Sequence, residues 1–259
     1  EAYAMMMKQS EMEVLHALTY SEIIRQCIPN PNEVIDQIME NERIFQRMGI
    51  VEEIMSDLAE AGHKYALGLI ERDDNLRLLI LKGMIALIGL EGIQFISSFA
   101  ATFALAEQQL FVGAAKLIQK IMLDELLHVK MDYAIIDALL KDPVWRKVYE
   151  DNIDVLTEIL DTVVGQEEDW CDYLFSEGRV IVGGNAELFK LWVYFNAAPI
   201  YRRLKMKHKF RAPKKSPLPW MDVWLNPDQI QAAAQEIQIT AYKLNSANKD
   251  VSDDEELDF

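Results

Sequence analysis

The chain has 259 residues, 51% of them apolar and 26% charged, enough to bury the core of one large domain. Its formal charge of −16 excludes the basic stripe that a phosphate backbone requires, so no nucleic-acid surface is expected. Two cysteines, Cys27 and Cys171, stand far apart with no C-x-x-C pair, which argues against a disulfide scaffold or zinc knuckle and suits a reducing, cytoplasmic interior.

Prolines punctuate the chain. Residues 1–28 carry none and read as one helix, stopped at Pro29-Asn-Pro31. Asn32 is placed to cap a second helix to about Met48, and a third covers Val51 to Ile70, broken at Asp73-Asp74-Asn75. A helical pattern then runs to about Leu140, with a break near Val112-Gly113. Pro143 opens a further helical stretch ending near Gly178, and another spans Ala186 to Arg203, kinked at Pro199. Four prolines between Pro213 and Pro227 make residues 206–228 irregular, and the basic cluster Arg202 to Lys215 reads as a solvated loop. No alternating β-branched run appears. An all-α domain over residues 1–228 is expected, with a flexible tail over 229–259.

Leu78 to Ala106 is apolar enough to suggest a membrane span, but Lys82, Glu91, Gln94, Ser97 and Ser98 interrupt it. Glu91 would sit near mid-bilayer, where a lone ionisable group is costly. The central helix of a large bundle is equally apolar all round, and that reading is preferred.

Histidine is scarce, yet three of the four follow a glutamate by three residues: His16, His63 and His128. On a helix that spacing puts both side chains on one face, within reach of one ion. Glu60-x-x-His63 sits among Asp57, Gly62 and Lys64 and reads as a solvated surface pair. Glu13-x-x-His16 and Glu125-x-x-His128 lie in apolar surroundings, where an uncompensated carboxylate is costly. A pair hydrogen-bonded within each helix accounts for either motif alone; two buried copies favour a metal. Glu91 adds a lone carboxylate on a third helix. Bundles that bind two metals use Glu-x-x-His on two helices and a single carboxylate on each of two others. Such a donor set suits iron or manganese better than zinc or copper. Tyr20 lies on the face of Glu13 and His16, either as a core residue or as a one-electron donor, and Asp124 is placed to orient a histidine.

These residues resemble the small, radical-generating subunit of class I (Ia-like) ribonucleotide reductase. The matching strings are Glu13-Val-Leu-His16-Ala-Leu-Thr-Tyr20, Leu90-Glu91-Gly-Ile-Gln-Phe95 and Asp124-Glu125-Leu-Leu-His128. Glu168-Asp169-Trp170 with Tyr173-Leu-Phe175, and Pro217-Leu-Pro219-Trp220 with Trp224, extend the match from about residue 10 to the C-terminus.

The resemblance implies a ferritin-like helical bundle and a diiron centre, manganese being an alternative. Its ligands would be Glu13, His16, Glu91, Glu125 and His128. Tyr20 would hold a stable radical in an apolar pocket of Phe95, Phe99 and Ile121. Asp124, Glu236 and Tyr242 would relay the oxidising equivalent to a large subunit that reduces ribonucleotides to deoxyribonucleotides. The acidic tail from Asp253 to Phe259 would dock there, and the small subunits would pair as a homodimer. Absence of a P-loop or G-x-G-x-x-G fingerprint fits a subunit that binds no nucleotide.

One departure stands out. The family has a sixth ligand, an aspartate on a helix upstream of the first Glu-x-x-His, and nothing before Glu13 substitutes for it. Position 1 is Glu, with no secretory pattern following it. The expectation is a C-terminal part of a split or processed small subunit, completed by a separate N-terminal polypeptide, with a truncated product as the rival. Other functional readings are a ferritin-like iron-storing protein and a non-catalytic helical partner.

Overall fold

The computed structural model describes residues 1–227, and every regular element among them is a helix. Glu236, Tyr242 and the expected tail over 229–259 lie outside the described residues.

The first helix, α1, spans Ala2–Cys27 and ends before Pro29, as the proline requires. Then follow α2, Pro31–Met39, and α3, Glu42–Ala66. The boundary between them falls at Asn41, not at Met48 to Val51 as the sequence suggests. The Asn41 side chain accepts from the Arg43 amide and donates to the Tyr173 hydroxyl at 2.8 Å, so it serves as a cap and a tie at once. Pro31 opens α2 at its first turn, with Asn30 rather than Asn32 in the capping position. At its other end α3 stops at Ala66, because Gly68 adopts φ +71° and the Leu69 amide reaches back to the Lys64 carbonyl at 2.9 Å.

The apolar stretch folds as α4, Asp74–Gly89, a π-helical turn, Leu90–Gln94, and α5, Phe95–Glu107. By length and composition Asp74–Glu107 could cross a membrane, yet 67% of its most apolar window is buried inside the bundle. Leu81, Ile85 and Ile88 are wholly enclosed, and α4 packs between α3 and the helix α8, Ile153–Leu174. The chain leaves α5 through Gln109 and Phe111, both in left-handed conformation, and enters α6, Val112–Leu139, with Gly113 already helical. Pro143 opens α7, Pro143–Asp151. The helical stretch expected from there to Gly178 is divided at Asn152, whose side-chain amide donates to the Val148 carbonyl where α7 ends.

Helix α9, Ala186–Arg203, continues through Pro199 and buries Trp192, whose indole donates to the Ile96 carbonyl. Gly92 in the π turn permits its approach: a Cβ there would meet Ile200 at 2.8 Å. The segment after α9 is irregular as expected; Arg203 at the end of α9 pairs with Asp137, and Lys209 beyond it with Asp161. A short α10, Met221–Trp224, brings the Trp224 ring flat onto Phe103, with centroids 4.4 Å apart.

Candidate metal centre

Two helices and the π turn converge on one cluster. Helix α1 supplies Glu13 and His16, the π turn Glu91, and α6 Asp124, Glu125 and His128. All five expected ligands come together. Glu60 and His63, the third such pair, are both exposed on α3, and Glu60 pairs with Lys64 at 2.7 Å. Burial, not spacing, separates the motifs.

The geometry has a twofold character. His16 Nδ1 lies 3.5 Å from Glu13 Oε2 and 3.2 Å from Glu125 Oε1. His128 Nδ1 lies 3.3 Å from Glu13 Oε1, 3.1 Å from Glu125 Oε2 and 3.7 Å from Glu91 Oε1. Glu13 and Glu125 therefore each present one oxygen toward each imidazole, the disposition of carboxylates that bridge two cations. Around His128 four groups converge, with atoms of Glu13, Glu91, Glu125 and His128 all within 4.8 Å of one another. Around His16 there are three.

The donors satisfy one another only in part: His128 Nδ1 and Glu125 Oε2 are paired at 3.1 Å. Glu13 Oε1, His16 Nδ1 and Glu91 Oε2 are buried without a hydrogen-bond partner among the described residues. Such groups lose their hydration without recovering it, a cost that a bound cation removes. Carboxylate oxygens with one imidazole on each side fit iron or manganese. The residues present therefore fit a two-metal centre.

Without a metal, protons and charge are shared across the cluster. Burial raises Glu91 and Glu125 above the usual carboxylate range, against the hydrogen bonds they share with His128. Burial disfavours the charged His128 ring, but the carboxylates of Glu125, Glu13 and Glu91 outweigh it and push its pKa up to about 11. Burial acts to raise Glu13 as well, yet His128 and His16 draw it below its ordinary value.

The outer nitrogens of the two imidazoles meet different partners. His16 Nε2 lies 3.2 Å from Asp124 Oδ2, an acceptor that fixes Nδ1 as the nitrogen facing the cluster. His128 Nε2 faces the Met12 thioether at 3.5 Å. Two further residues escaped the sequence reading. Gln9 donates to Glu91 Oε1 at 2.6 Å. Asp132 is fully buried with both oxygens unpartnered among the described residues, and burial together with the Glu91 charge pushes it up to about 8. A signal existed for both: Gln9 precedes Glu13 by four residues and Asp132 follows His128 by four, so each shares its ligand's helix face.

Tyr20 stands one turn beyond His16 on α1 and is 38% exposed. Burial and the charges of Glu125 and Glu13 push its phenol up to about 12. Phe99 and Ile121 are buried in the core of α5 and α6, with Phe95 packed edge-on against Phe99.

Comparison with known proteins agrees with this arrangement. The family described as ribonucleotide reductase, small chain, matches residues 1–217. The beta subunit of ribonucleoside-diphosphate reductase 1 from Escherichia coli O157:H7 is 30% identical over 265 residues, covering 95% of this chain and 69% of that protein. The beta subunit from enterobacteria phage T4 is 28% identical, with 95% of this chain and 70% of that protein covered. The ribonucleotide reductase R2 subunit from Clostridium botulinum superposes with a TM-score of 0.70 at 22% identity, covering 84% of this chain and 64% of that one, a likeness of fold.

Proposed function

The chain belongs to the ribonucleotide reductase small-chain family, and on that premise we propose that it is the radical-generating small subunit of a ribonucleoside-diphosphate reductase. The observation that carries this reading is the pair of carboxylates, Glu13 and Glu125, each spanning the two imidazoles. His16, Glu13 and Glu125 would hold one metal ion; His128, Glu91, Glu13 and Glu125 would hold the other. Iron or manganese bound there supplies oxidising equivalents drawn from O2.

The protein's own groups do the rest. Asp124 accepts from His16 Nε2 and keeps its ring in register. Being 40% exposed, Asp124 also links the buried ligand to the surface, where an oxidising equivalent must leave toward a partner. Burial and the charges of Glu125 and Glu13 push the Tyr20 phenol up to about 12, which favours its protonated form, so its oxidation would release the phenolic proton with the electron. The large subunit would bind and reduce the ribonucleotide, with Glu236, Tyr242 and the acidic tail serving contact and relay.

The His16 position has one protein donor fewer than the His128 position. The side of α1 away from the cluster exposes Val14, Leu15 and Leu18, an apolar surface suited to another helix. We assign both needs to one segment, a separate N-terminal fragment of the small subunit that brings a carboxylate to the His16 position. Adding that fragment should raise bound iron from about one to about two per chain. Full iron from the lone chain contradicts the assignment.

Reductase turnover tests the function as a whole. Iron-loaded chain plus fragment and a class I large subunit should reduce ribonucleoside diphosphates, and Tyr20→Phe should abolish turnover. Undiminished turnover with Tyr20→Phe contradicts the role given to Tyr20.

A further inference from the structure

The π turn that carries Glu91 is held from outside the cluster. In a π turn the hydrogen bonds run from residue i+5 to residue i, as the Phe95 amide does to the Leu90 carbonyl, and the geometry is easily lost to an ordinary helix. A slip by one residue would rotate Glu91 by about 100° around the helix axis and take its carboxylate off the cluster.

Arg47, in the second turn of α3, reaches this turn with its whole guanidinium. Nε and Nη2 donate to the two oxygens of Glu167 on α8, the second at 3.0 Å, in a two-pronged pairing. Nη2 also donates to the Gln94 carbonyl, the last residue of the π turn, and Nη1 to Ser98 Oγ at 3.0 Å. The Gln94 side chain returns the contact, donating to the Arg47 carbonyl at 2.5 Å. Ser97 Oγ donates to Glu167, and Trp170 lies against the guanidinium with its ring centre 4.7 Å away. Glu167 is fully buried. An ion pair so enclosed contributes little net stability compared with apolar residues of the same size, so stability alone does not explain it.

We propose that the Arg47–Glu167 pair is a positioning device that holds the π turn in register and thereby sets the reach of Glu91 toward the His128 metal position. Arg47 and Glu167 touch no metal ligand directly; they act through the Gln94 backbone. The proposal rests on the two-metal reading above, in which Glu91 serves only the His128 position.

Single substitutions would strand a buried charge and risk unfolding the chain, so the test uses the double variant Arg47→Met, Glu167→Leu. Mn(II) binding is followed by electron paramagnetic resonance, together with amide hydrogen exchange over residues 91–95 in the metal-free protein. The folded double variant should bind Mn(II) at the tighter position at least tenfold more weakly, leave the weaker position unchanged, and exchange the turn amides at least tenfold faster. Equal weakening of both positions, or unchanged binding and exchange, overturns the proposal. If the double variant does not fold, Arg47→Lys, which keeps the charge but loses the two-pronged reach, should weaken the tighter position alone, and unchanged affinity overturns the proposal. A wild-type chain that binds no Mn(II) overturns the metal reading instead, and the pair's hold on the turn is then judged by exchange, where unchanged protection overturns it.

Discussion

Glu91, Glu125 and His128 are 2%, 1% and 0% exposed, whereas the Glu13 side chain, on the opposite side of the same cluster, is 44% exposed. The inner ligands sit on elements locked by packing: the π turn lies against α4, α8 and α9, and α6 against α4, α5 and the π turn. The outer ligands come from α1, which packs chiefly on α6 and reaches the π turn through Gln9. One half of the centre is thus fixed by the fold before any metal arrives. The other half depends on a single helix and on the metal itself, and Val14 and Leu18 beside it are exposed. The donor count follows the same division, four groups around His128 and three around His16.

The largest break in this comparison comes from a residue both halves share. Glu125→Ala removes an oxygen from each position, and iron content should fall to near zero by metal analysis, whereas Glu91→Ala should cost only the His128 position. Retention of one tight metal in Glu125→Ala would contradict the bridging role. Next comes the asymmetry of the scaffold. Ile85→Ala, in the enclosed α4, should cost about 2–5 kcal/mol in denaturant unfolding, while Val14→Ala on the open face of α1 should stay within about 0.5 kcal/mol. Equal losses would mean that α1 is as firmly packed as α4.

Asp124→Asn keeps the shape of the His16 partner but weakens its charge, and should reduce affinity at the His16 position about 10–100-fold while sparing the His128 position. The mildest test is pH. Asp132 is raised from 3.8 to about 8, so between those values the unfolded chain releases a proton that the folded one keeps, and stability falls as pH rises. His128, raised from 6.5 to about 11, adds a loss in the same direction at higher pH; Glu13, held low, acts the opposite way. Metal-free protein should therefore lose stability from about pH 4 to pH 8, and Asp132→Asn should flatten that slope. An unchanged slope would place the buried proton elsewhere.

What the chain's letters reveal divides along physical lines. The candidate ligands were legible because buried charge is rare: Glu13, Glu91 and Glu125 stand out against apolar neighbours, and helical spacing pairs two of them with histidines. The surface pair Glu60 and His63 was separable for the same reason. Helix ends were legible where proline or a left-handed glycine forces them, as at Pro29 and Gly68. They were not legible at Asn41 and Asn152, whose capping depends on which backbone groups lie nearby. The π turn at Leu90–Gln94 has no local signature, since its register is held by Arg47 and Glu167, each remote in the chain. Gln9 and Asp132 followed the helical spacing but carried no rarity to draw notice.

In the proposed function this cluster, open on one side, oxidises Tyr20. Electron paramagnetic resonance reads this out after the Fe(II)-loaded chain, with the proposed N-terminal fragment, meets O2. The wild type should give a persistent tyrosyl signal and Tyr20→Phe none, with equal iron in both. An iron-loaded wild type without a radical, or the same signal in Tyr20→Phe, would contradict it.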